Sequence, residues 1–90
     1  MTVLTIGDRT RDGLLEIVDT NWNGDGVMRV TVRELIGTGC WVGGLPIRRM
    51  RALARRAMPH PEKTRSARLI RTFSDYGCDY ATFAVSRLER

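Results

Sequence analysis

The chain has 90 residues, 15 basic and 10 acidic side chains and a net charge of +5. That length holds one domain, residues 1–90, and excludes barrel enzymes and dinucleotide-binding enzymes with a separate substrate domain. At 42% hydrophobic and 28% charged it is composed as an ordinary folded domain, not a disordered segment.

Thr2 to Ile6 alternates and predicts a short strand, closed by turn-forming residues from Gly7 to Gly13. Leu14 to Trp22 and Val27 to Leu35 are rich in apolar and β-branched residues and predict two further strands. Asn23-Gly24-Asp25-Gly26 between them is a strong hairpin signal, because Asn-Gly and Asp-Gly tolerate positive φ. Pairing around that turn puts Leu15, Ile17, Met28, Val30 and Val32 on one face. Leu14, Val18, Trp22, Val27 and Leu35 then fall on the other.

A glycine-rich loop runs from Ile36 to Gly44, and Pro46 suits the first position of a helix. The helix is predicted to Met58, where Pro59 and Pro61 around His60 stop it. Its apolar residues, Ile47, Met50, Leu53, Ala54, Ala57 and Met58, fill an arc of about 140°. Arg48, Arg49, Arg51, Arg55 and Arg56 occupy the opposite side. Ser66 to Phe73 and Tyr80 to Leu88 predict two last strands, although residues 65–72 also fit a helix. The expectation is an α+β domain of order βββαββ, a mostly antiparallel sheet with one amphipathic, arginine-rich helix packed on it.

Charge is unevenly placed along this order. Residues 1–44 carry −2 and residues 72–90 carry −1, whereas residues 45–71 carry +8. Fourteen of the fifteen basic residues are arginine, whose planar fork suits phosphate and carboxylate in a way lysine does not. With no acid between Ile47 and Met58, the helical arginines form no i,i+4 ion pairs and repel one another. This pattern points to a non-enzymatic protein whose partner is nucleic acid or another polyanion. Its contacts would come from Arg48, Arg49, Arg51, Arg55 and Arg56, extended by Arg65, Arg68 and Arg71. The plainer reading is that carboxylates of the body, among them Asp8, Asp12, Glu16, Asp75 and Asp79, pair with these arginines.

The alternative function is a protein-binding inhibitor or regulator of phage or plasmid type, such as an anti-defence or anti-CRISPR-like protein. It would dock on an acidic protein surface of a host enzyme. Trp22, Trp41, Leu14, Val18 and Val27 are its interface candidates, and an apolar second sheet face would also suit a homodimer.

Other chemistry is poorly represented. Asp19, Asn21, Asn23 and Asp25 form a partial calcium-loop set, but position 12 of the pattern, where a bidentate glutamate is needed, is Val30. Gly37-x-Gly39-x-x-Val42 lacks the third glycine of a dinucleotide fingerprint. Cys40, Cys78 and His60 have no zinc-site spacing, and the two cysteines read as free thiols. With one histidine and no nucleophile motif, neither catalysis nor a cofactor or metal is expected. No apolar run approaches the roughly 20 residues of a membrane-spanning helix. Met1 to Gly7 lacks the features of a secretory signal. A cytoplasmic protein without a membrane partner is expected.

Overall fold

A computed structural model describes residues 4–22, 27–34, 47–57, 64–75 and 78–87. Strand β1 (Leu15–Trp22) pairs antiparallel with β2 (Val27–Glu34), as their alternation predicts. After α1 (Ile47–Arg55), β3 (Thr64–Asp75) and β4 (Cys78–Arg87) form a second antiparallel pair. β4 also pairs antiparallel with β2, giving one sheet of order β1-β2-β4-β3. Strands β2 and β3 thus run parallel, with α1 crossing between them and β4 inserted in the gap. Residues 65–72 belong to β3, so the strand reading of that stretch holds and the helical one does not.

The helix covers one sheet face. Arginine, leucine, alanine and methionine all favour helix, but nine residues are too few to be stable alone. Met50, Leu53 and Ala54, with Ala57 in the following turn, are buried against Leu15, Ile17, Val30, Val32, Phe83 and Val85. The end of α1 tightens into three-residue turns: the Arg56 and Ala57 amides donate to the Leu53 and Ala54 carbonyls at 3.1 Å. The Leu4 amide then donates to the Arg56 carbonyl at 3.0 Å, satisfying an acceptor at the helix end.

The expected N-terminal strand is corrected where it is described: Leu4 to Ile6 is not strand. Gly7 and Gly13 take positive φ, 97° and 75°, and fold residues 4–14 into successive turns. This segment covers the outer edge of β1. The Gly7 amide donates to the Ile17 carbonyl at 2.8 Å, and the Ile17 amide donates to the Asp8 carbonyl at 2.9 Å. The edge is therefore partly occupied within the domain. Described order is ββαββ.

Two bulges decide what the other sheet face displays. Ile17 opposes Val32 but Asp19 opposes Thr31, so Val18 is an extra residue in β1. Leu69 opposes Phe83 but Arg71 opposes Thr82, leaving Ile70 extra in β3. A one-residue slip sends every following side chain to the opposite face. Trp22, opposite Met28, therefore joins the helix side of the sheet. Leu14 also packs against the core. The apolar second face expected from Leu14, Val18, Trp22, Val27 and Leu35 is thus not assembled. Val27, opposite Ser86, lies on the open face at the sheet's end, and Leu35 is outside the described residues. The open face is mainly polar, which removes the apolar basis for a homodimer through it.

Candidate nucleic-acid interface

The five helical arginines do not form one uniform surface. Arg49 Nη2 donates to Asp12 Oδ2 at 2.6 Å, so one carboxylate of the body does meet the helix. Arg51 Nε donates to the Ala67 carbonyl at 3.0 Å, and its guanidinium lies 5.8 Å from the Phe83 ring centre. Those two arginines tie α1 to the loop before β1 and to β3. Arg48, Arg55 and Arg56 are exposed, and no acidic side chain among the described residues pairs with them. Arg48 and Arg55, seven residues apart, share one side of the helix with exposed Ala52 between them.

Arg51 is consequently a structural residue at least as much as a contact residue. Arg51→Ala is expected to lower stability by about 2 kcal/mol, through the lost charged hydrogen bond and ring contact. A urea unfolding curve checks this. A midpoint equal to wild type would contradict the tie to β3.

Asp12 is held by three neighbours. The Thr10 hydroxyl donates to Oδ1 at 2.6 Å, Arg49 to Oδ2, and the Leu14 amide to Oδ1 at 3.1 Å. Led by the Thr10 hydrogen bond, they lower its pKa from 3.8 to about 2. Because the folded value lies below the unfolded one, this stabilisation is complete above pH 3.8 and fades as pH falls towards 2. Asp12→Asn is expected to lower the urea midpoint at neutral pH, with the gap narrowing between about pH 4 and 2. A gap that stays constant across that range would contradict the arrangement.

The open sheet face carries a second basic surface, laid out by the register. One row across the strands is Phe73, Tyr80, Arg33 and Glu16. The next is Arg71, Thr82, Thr31 and Asp19, and the third is Arg68, Ala84, Arg29 and Asn21. Phe73 and Tyr80 stack with ring centres 4.8 Å apart and planes within 1° of parallel. The Arg71 guanidinium lies 4.8 Å from the Phe73 ring centre. The hydroxyls of Thr31 and Thr82 are hydrogen-bonded at 3.0 Å. A hollow of about 220 Å³ opens over them, lined by Asp19, Asn21, Arg29, Thr31, Ile70, Arg71 and Thr82. At the first row Arg33 is engaged, since its Nη2 donates to Glu16 Oε1. That bond, with a smaller contribution from Tyr80, raises the Arg33 pKa. Arg9 adds a second, looser ion pair to Glu16 at 3.6 Å.

Arg68 and Arg71, expected to extend the helical track, lie on the opposite side of the sheet from α1, so the track divides into two surfaces. Arg65 sits at the first irregularity of β3, and its side chain lies outside the described residues. Trp22 is 49% exposed. Trp41, Cys40 and His60 are outside the described residues, as are Asn23 and Asp25 of the partial calcium loop. Asp19 and Asn21 of that set line the hollow, and the described residues hold no cluster of metal-ligating side chains. Cys78 is a buried free thiol. No helix among the described residues is long and apolar enough to cross a membrane.

No family model, curated protein or solved structure matches this chain. Its surfaces therefore stand on their own chemistry. Arg29, Thr31, Thr82, Phe73 and Tyr80 were not among the expected contact residues. Their signal is the alternation of Arg29, Thr31 and Arg33 with buried Val30 and Val32, which marks a polar outer face on β2.

Proposed function

We propose that this protein is a non-enzymatic, cytoplasmic nucleic-acid-binding module whose helical arginines contact phosphates. The observation that carries this reading is the division of labour on α1. The fold engages Arg49 and Arg51, and leaves Arg48, Arg55 and Arg56 exposed without a carboxylate among the described residues. Arg48 is also badly placed for helix stability. It lies in the first turn, where the helix dipole is positive and no acid is present. An incoming phosphate would relieve both the dipole and the mutual repulsion of these arginines. Such contacts read charge, not base sequence, and their strength falls steeply with salt.

Titration of nuclease-treated protein into labelled duplex and single-stranded oligonucleotides tests this reading. Binding that weakens markedly from about 50 to 200 mM salt is expected. Absence of binding at the lower salt would overturn it. The second reading, docking on an acidic protein, is favoured by Trp22, which is half exposed at the end of β1 and suits an interface anchor. Proteins that survive nuclease treatment in a pull-down and are lost with Trp22→Ala would favour this alternative.

A further inference from the structure

We propose that the open sheet face is a second site, selective for unpaired nucleotides, with Arg29 and Arg71 holding phosphate and the Phe73–Tyr80 pair receiving a base. This rests on the nucleic-acid reading above but uses a different surface. Among the described residues no element covers this face. Its middle strand, β4, displays only small side chains beyond the aromatic row: Thr82, Ala84 and Ser86. Arginines rise on either side, Arg29 from β2 and Arg68 and Arg71 from β3, so β4 floors a trough with cationic walls. Rows repeat about every 7 Å along it.

The contents of the hollow narrow the occupant further. Arg29 and Arg71 supply guanidinium forks, and the linked hydroxyls of Thr31 and Thr82 lie between them. The two forks, and the one hydroxyl proton that the threonine pair does not spend on itself, are donors for a phosphate. On the β1 side, Asp19 is an acceptor and Asn21 both donor and acceptor. Asp19 disfavours a ligand made only of anionic groups, such as a polyphosphate or a sulfated polysaccharide. It favours one that also brings N–H or O–H donors, as a base edge or sugar does.

Next to the hollow, Phe73 stacks on Tyr80, with the Arg71 guanidinium 4.8 Å from the Phe73 ring centre. Phe73 has Tyr80 on one face and the Arg71 guanidinium on the other. The π-face of the pair left for a base is therefore the outer face of Tyr80, a contact tolerant of sequence. A duplex keeps its base faces inside the stack and offers only edges in its grooves. A broad sheet face cannot reach them without unstacking. The trough thus selects unpaired strand, while the α1 arginines contact phosphate in either form.

Anisotropy titrations with fluorescein-labelled oligothymidylate and the matching oligothymidylate–oligoadenylate duplex test the site. Arg29→Gln/Arg71→Gln changes only exposed residues and adds no negative charge beside Asp19. It should weaken single-strand binding by about tenfold or more, and duplex binding by less than about twofold. Phe73→Leu, which keeps an apolar side chain at that position, should also weaken single-strand binding selectively. Unchanged single-strand affinity in both variants, or equal loss for the two probes, would overturn the sheet site while the nucleic-acid reading stands. A wild-type protein that binds neither probe would overturn both.

Discussion

Phe83→Ala is expected to destabilise the domain by about 4 kcal/mol, the largest effect of any single change considered. Phe83 is fully buried in β4, the strand flanked by β2 and β3, and opposes Val30 on one side and Leu69 on the other. Much of the surrounding core is alanine: Ala54 and Ala57 from the helix layer, Ala67 and Ala81 from the sheet. Those residues allow α1 to sit close to the strands. They have no side-chain length with which to fill the void left by a missing ring, so the cavity persists. The loss also removes the ring beneath the Arg51 guanidinium, loosening the tie between α1 and β3. A domain of this size is stable by only about 5–13 kcal/mol. Phe83→Ala therefore leaves a marginal protein, visible as a large drop in the urea midpoint. A loss below about 1 kcal/mol would contradict the packing described.

The second large effect concerns binding. Replacing Arg48, Arg55 and Arg56 together by glutamate should leave the core intact, because all three are exposed and none ties α1 to the sheet. If each contacts one phosphate, their combined contribution to duplex affinity is about 10²-fold at 200 mM salt and on the order of 10³-fold at 50 mM. Glutamates add repulsion, so the measured loss should be at least of that size. The stability control matters here. Arg48→Glu in the first turn improves the match to the helix dipole, whereas Arg55→Glu in the last turn and Arg56→Glu just after it oppose the dipole. The triple variant should therefore stay within about 1 kcal/mol of wild type in stability. Arg51→Ala should behave in the opposite way, with lower stability and a smaller change in binding. A triple variant that retains wild-type affinity would remove α1 from the interface.

Much of the fold was legible because it depends on local pattern. The alternation from Val27 to Glu34 and the helical period of Ile47, Met50, Leu53, Ala54 and Ala57 each place an element correctly, while the turn expected at Asn23 to Gly26 lies outside the described residues. What pattern cannot show is a bulge. Val18 and Ile70 look like ordinary alternating residues, yet each shifts the pairing by one and sends Trp22 and Arg71 to faces that strict alternation denies them. The candidate site was legible in part for a related reason. The charge surplus of residues 45–71 was plain. Its division was not, because Arg49 meets Asp12 across 37 residues and Arg51 meets Ala67 across 16. Tertiary approach decides which arginines remain exposed. Thr2 to Ile6 failed as a strand, at least from Leu4 onward, because the backbone at Gly7 and Gly13 turns through positive φ and places residues 7–10 against β1.

The central claim is that exposed arginines on α1 contact phosphates, and the salt dependence of duplex binding tests it most directly. Affinities of wild type and the Arg48→Glu/Arg55→Glu/Arg56→Glu variant are measured from about 50 to 200 mM salt and plotted logarithmically. Three lost phosphate contacts predict a slope shallower by about 2.7 in the variant. Parallel lines with equal affinity would contradict the account, because the three arginines would then release no counterions.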